Sequence, residues 1–221
     1  MNANGPSLTE KLQTFHQAML QRMSPPDAEA LHRGEERAAS SGAAAAALQV
    51  GAKAPDFRLP NQHGRPVHLA ERLALGPVVL VFNSGGWCPF CALVLRAWQD
   101  ALSNLHDAGG DLLAISPQPA RACSQAAERD LLAYPVLSDA GNLVAEQYGV
   151  AYEQPDVVRP LFKRLGHDLP RINGTGDWRT PLAATFVIAQ DGRIALAHVE
   201  LVAWRQLEPD AAIKLVRDLT R

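Results

Sequence analysis

Apolar and polar positions along the chain change their period several times, and each change marks an element. Leu12, Phe15 and Met19 fall at helical spacing behind Ser7-Leu8-Thr9-Glu10, a capping-box spacing. Pro25-Pro26 breaks that helix, and Asp27 can cap a second one running toward the alanine-rich Ala43–Leu48, which reads as helix. Beyond it the signals alternate between strand and helix. Asp56–Leu59 and Val67–Leu69 are short alternating segments, and Val78–Phe82 is a continuous apolar run suited to a strand covered on both faces. Cys91, Leu95, Trp98, Leu102 and Leu105 form one helical stripe. Asp111–Ile115 reads as a second buried strand, Ala120–Ala133 as a helix, and Tyr134–Leu137 as a short strand. A further helix is expected at Leu143–Tyr148, then an irregular stretch over Gln154–Thr180. Thr185–Ala189 is a third core strand, Asp191-Gly192 a two-residue hairpin turn, and a last helix runs from about Pro209 to Leu219.

Strand, helix and strand through Val78–Ile115 imply a parallel pair with a right-handed crossover, and the hairpin adds antiparallel strands. The fold class is α/β, a mixed central sheet with helices on both faces. Residues 1–48 read as a helical extension and 49–221 as the main domain.

Composition narrows the function. With 21 Lys+Arg against 23 Asp+Glu, the formal charge of −2 lacks the basic balance of a nucleic-acid binder. No apolar run reaches the 18 or so residues of a membrane helix, and the first twenty residues show no secretory signal. Three cysteines do not make a secreted disulfide framework, so a reducing cytoplasmic setting is expected.

The chemistry concentrates at Cys88-Pro89-Phe90-Cys91. A strand ends at Phe82, a Gly-rich turn follows, and Pro89 suits the first helical position. That places Cys88 at the N-cap, where orphan amides and the helix dipole favour thiolate. The spacing also lets the two sulfurs meet across the first turn. A zinc site would need more ligands than the chain offers, and two buried structural cysteines are the bland alternative. A redox pair fits the strand–turn–helix context better than either.

The segment VVLVFNSGGWCPFCALVLRA (78–97) resembles the alkyl hydroperoxide reductase and thiol-specific antioxidant family. It is similar in particular to the peroxiredoxin-like branch with the motif F-x-x-G-x-W-C-P-x-C. The likeness continues in GAKAPDFRLPNQHGRPVHL before it and in AISPQ, YPVLSDAGNLVAEQYGV and DWRTPLAATFVIAQDGRI after it. The resemblance implies a thioredoxin-like fold and an antioxidant oxidoreductase. It would reduce hydrogen peroxide or organic hydroperoxides through Cys88 and Cys91 and be recycled by a thioredoxin-type donor, with no cofactor or metal. Exchange with protein disulfides is the alternative function; a redox-sensing interaction module, possible as a homodimer, is another.

Read as a thioredoxin, Cys88 attacks; read as a peroxiredoxin, Cys91 attacks and Cys88 resolves. Physical chemistry alone prefers Cys88, because an N-cap is expected to be the more exposed position and nearer the dipole. Two departures stand out. Ser84 occupies the position seven before Cys91 where peroxiredoxins have proline, and Ala183 stands where they carry arginine and thioredoxins a cis-proline. Pro181 or Arg179 is a candidate to compensate. Trp87 is either a cover over the thiols or plain packing. Asp177-Trp178-Arg179 is placed by the resemblance at the loop opposite the pair. Cys123 is either a remote resolving thiol or a small hydrophobe.

Overall fold

The computed structural model describes residues 5–221, so the first four positions of the expected extension lie outside the described residues. In chain order the helices are α1 (Leu8–Arg22), α2 (Pro25–Ser40), α3 (Leu69–Leu73), α4 (Pro89–Asp107), α5 (Ala120–Arg129), α6 (Leu143–Gln147), α7 (Arg159–Arg164), α8 (Leu169–Asn173) and α9 (Pro209–Leu219). The strands are β1 (Arg58–Pro60), β2 (Pro66–His68), β3 (Val78–Phe82), β4 (Asp111–Ser116), β5 (Val136–Ser138), β6 (Ala151–Glu153), β7 (Arg179–Pro181), β8 (Ala183–Ile188) and β9 (Ile194–Glu200).

A five-stranded sheet in the order β5-β4-β3-β8-β9 forms the centre. β3 runs parallel to β4 and antiparallel to β8. Because side chains alternate along a strand, β3 feeds both faces. Val79 and Val81 join the core under α1, α4 and α9, whereas Val78, Leu80 and Phe82 join the one under α3 and α6. All five residues of β3 are buried, as expected of a strand with helices on either side. This is the thioredoxin-like, mixed-sheet α/β architecture.

The leading helices belong to that core. α1 has the capping box read from Ser7 and Glu10, and its Leu8 and Leu12 are buried against the α4 side. Glu208, at the start of α9, accepts hydrogen bonds from the Thr9 amide and hydroxyl, both at 2.8 Å.

Four local expectations are corrected. The cap of α2 is Ser24, with the two prolines inside its first turn, and Asp27 instead accepts from the Ser24 hydroxyl at 2.8 Å. The alanine run forms only a 3-10 turn at Ala43–Ala46, because Gly42 enters it in the left-handed conformation. Gln154–Thr180 is not wholly irregular: it holds α7, α8 and the start of β7, helices too short for periodicity to reveal. The hairpin after β8 is longer than two residues. Gly192 donates back to Ala189 and Ala189 to Arg193, so Gln190–Gly192 form the loop, beside a bulge at Val187/Ile188.

Candidate functional site

β3 delivers the chain at Asn83 to the edge of the sheet, where a glycine turn swings it into α4. Asn83 Nδ2 donates to the Ile115 carbonyl at 3.0 Å, and Asn83 Oδ1 accepts from the Gly85 amide at 3.0 Å. Gly85 has a φ of 118°, and a Cβ there would lie 2.4 Å from Gln118 Oε1, so the turn needs a glycine on two counts. Gly86 is held at both ends: its amide donates to Gln118 Oε1 at 2.6 Å, and its carbonyl accepts from Arg129 Nη1 at 2.8 Å. Arg129 is steadied by Asp130, whose fully buried carboxylate also takes Arg96.

This turn sets Cys88 as the N-cap of α4, with Pro89 inside the first turn. The Cys91 amide donates to Cys88 Sγ at 3.3 Å. Both thiols are free, three residues apart across the first turn of α4. Their environments differ in the direction opposite to the sequence expectation. Cys88 is only 5% exposed, packed into the apolar cluster with Phe90 and Val94, while Cys91 is partly exposed. An N-cap is exposed when its helix starts at the surface; this one starts beneath other helices.

Protonation follows the same asymmetry. The Cys91 thiol is drawn below its ordinary value by the hydrogen bond from the Cys88 thiol. Burial opposes this, and the Ser84 amide and hydroxyl reinforce it. The Cys88 thiol is pushed well up, because its hydrogen is committed to Cys91 and because it is buried. Ser84 is thus more than a missing proline: it is one of the groups that favour a thiolate at Cys91.

An apolar cavity of about 250 Å³ opens over the pair. Trp87, Pro89 and Ala183 line it, and so does Pro181. Trp87 packs against His167 and Phe162, with ring centroids 4.9 Å and 5.7 Å away, so it is wall and cover together. Burial holds His167 below its usual value. Trp178 and Arg179 do not line the cavity. Trp178 is buried under Arg159 and Lys163, each 5.6 Å from its ring. Arg179 ion-pairs with Glu146 and Asp177, so the expectation that its guanidinium compensates at the sulfurs is not met. Cys123 is 1% exposed, with its sulfur toward the Gln118 carbonyl at 3.5 Å, and burial pushes its thiol up to about 11. That is the environment of a small hydrophobe rather than a resolving thiol. No group of three His, Cys, Asp or Glu side chains among the described residues gathers in a way that could hold a metal ion. None of the helices among them is long and apolar enough to cross a membrane.

The profile of the AhpC/TSA family matches residues 50–197. The chain belongs to the AhpC/TSA family. Peroxiredoxin Bcp of Escherichia coli strain K12 is 38% identical over 104 residues, which is 47% of this chain and 65% of that protein. The chloroplastic peroxiredoxin Q of Sedum lineare is 31% identical over 178 residues, covering 79% of this chain and 81% of that protein. Among solved structures, the peroxidoxin BcpB of Mycobacterium tuberculosis superposes with a TM-score of 0.64 at 26% identity, over 78% of this chain and 98% of that one. This AhpC/TSA member is a peroxiredoxin-like, thiol-dependent peroxidase in class. Sequence reasoning missed its His16, His167 and Trp204, which reach the cavity from segments far apart in the chain. No local spacing could have gathered them.

Proposed function

We propose that the chain reduces hydroperoxides with the Cys88–Cys91 dithiol, Cys91 attacking and Cys88 resolving. The observation that carries this assignment is the asymmetry of the pair: Cys91 is half-buried and its thiol is drawn below its ordinary value, whereas Cys88, 5% exposed, is pushed well above it.

The Cys91 thiolate attacks the terminal peroxide oxygen. A sulfur–oxygen bond forms, the oxygen–oxygen bond breaks, and the alkoxide or hydroxide leaves and takes a proton from solvent. Sulfur is oxidised to sulfenic acid and the peroxide is reduced to alcohol or water. The Cys88 thiol then condenses with the sulfenic acid, its hydrogen leaving with the hydroxyl as water and a disulfide closing across the first turn of α4. An external dithiol, a thioredoxin-type protein in this reading, restores both thiols by exchange. The Ser84 amide and hydroxyl act by stabilising negative charge on sulfur without reorganising.

Stopped-flow mixing of the reduced protein with one equivalent of peroxide, followed by mass spectrometry, tests the proposal. The expected result is rapid loss of two hydrogens, mapped to a Cys88–Cys91 bond. Reduction of insulin disulfides without peroxide turnover would instead make the chain a thiol–disulfide exchanger.

A further inference from the structure

The cavity over the cysteines is assembled from two parts of the chain with different origins. Its floor, from Asn83 to Cys91 together with Ala183, lies inside the family-matched stretch. Its roof precedes that stretch: His16, Met19 and Met23 come from α1 and its end, Leu31 and Ala38 from α2.

One residue ties roof to wall. The Trp204 ring stacks on His16 with centroids 4.7 Å apart and planes 16° from parallel. Its Nε1 donates to Glu35 Oε1 on α2 at 3.4 Å, and the Arg205 guanidinium lies 4.9 Å from its ring. Beneath it, Phe15 meets Phe90, the neighbour of Cys91, edge-on at 5.0 Å. α2 is fitted closely to the opposite wall, since a Cβ on Gly34 would come within 2.3 Å of Val158 Cγ1.

The size of this space decides what fits. An apolar cavity of about 150 Å³ accepts benzene, and a water molecule takes about 30 Å³. At about 250 Å³ this chamber has room for an aryl group with its peroxide arm, and it is far too large for hydrogen peroxide to fill. Among the described residues, Glu35 is the one carboxylate on its walls and no lysine or arginine lines it, and Glu35 already accepts from Trp204. An anionic substrate would find only the imidazoles of His16, stacked on Trp204, and His167, which burial holds below its usual value, while an apolar one gains from every wall it leaves water to touch.

We infer that α1 and α2, latched by Trp204, set the peroxide specificity of this site, selecting an uncharged hydroperoxide with an apolar body of aryl size over hydrogen peroxide. This rests on the peroxidase reading, and the chemistry at sulfur is the balanced sequence given above, with the apolar alcohol as leaving group.

The test uses the full chain with dithiothreitol as reductant. Cumene hydroperoxide and hydrogen peroxide are compared by kcat/KM, a preference of about tenfold or more being expected for the aryl substrate. Trp204→Ala is expected to cut that preference about fivefold, through KM for cumene hydroperoxide rather than kcat. Cumyl alcohol, the product, is expected to slow iodoacetamide alkylation of Cys91 in the wild type. That arm and the wild-type ratio still decide if the variant fails to fold. A wild-type ratio near one, an unchanged ratio in folded Trp204→Ala, or no protection by cumyl alcohol overturns the inference and leaves the peroxidase reading standing. Absence of turnover with both peroxides overturns the peroxidase reading itself.

Discussion

Gln118 Oε1 accepts the Gly86 amide at 2.6 Å, so a side chain two residues beyond β4 fixes the turn that aims both cysteines. Gln118 is itself buried, and Gly86 has no other amide acceptor of its own in the sheet. Gln118→Leu therefore strands a backbone donor. The expected cost is about 1–3 kcal/mol of stability, read as a lower urea midpoint, accompanied by slower alkylation of Cys91 at neutral pH.

The two cysteines are expected to respond differently to replacement. Cys91→Ser should abolish both fast alkylation and peroxide consumption. Cys88→Ser should still consume one equivalent of peroxide, leaving a sulfenic acid on Cys91 that dimedone traps, and should form no internal disulfide. Mass spectrometry after a single equivalent distinguishes the pair; a sulfenic acid on Cys88 in the Cys91→Ser protein would reverse the assignment.

The rate of Cys91 alkylation against pH should have its midpoint below the ordinary thiol value, because its donors favour the thiolate. Removing one donor in Ser84→Ala shifts that midpoint upward. At pH 7 the thiolate fraction, and with it the alkylation rate, should fall roughly two- to fivefold.

Asp130 supplies an acid-sensitive tie. Burial disfavours its charge, yet Arg129 and Arg96 outweigh that and hold its carboxyl below the usual range. A depressed carboxyl stabilises the fold above the unfolded value of about 3.9, and the contribution is lost as pH falls through the folded value. Asp130→Asn is expected to cost about 2 kcal/mol at pH 7. Denaturant midpoints of wild type and variant should converge as pH falls below the depressed folded value.

Gly34→Ala tests the fit of α2 to the chamber wall. The added methyl meets Val158, which must move or push the helix away. A loss of about 1–3 kcal/mol is expected, and Gly34→Ala with Val158→Ala should recover part of it in thermal melts.

The elements that place the thiols were legible because their patterns are local. VVLVF can only be a strand with cover on both faces, and the stripe from Cys91 to Leu105 can only be one side of a helix. The order of the cysteines was not legible. It depends on where the Ser84 donors point after the glycine turn, and on the helices whose side chains share the cluster that buries the N-cap. Arg179 misled for a related reason. Its place just before β8 suggested a cleft residue, but Asp177, two positions away, and Glu146 on α6 engage its guanidinium first. The chamber was least legible of all, since His16, Glu35 and Trp204 are brought together by nothing short of the finished fold.

The Trp204 contact with α1 and α2 joins two tasks within one chain. A version trimmed to the stretch matched by the family would keep the glycine turn and both sulfurs but uncover Cys88, with Trp98 and its neighbours stripped of Leu8 and Leu12. Reactivity and discrimination are thereby coupled in evolution: the glycine turn aims the sulfurs, while the two leading helices both roof the chamber and share the core that buries Cys88.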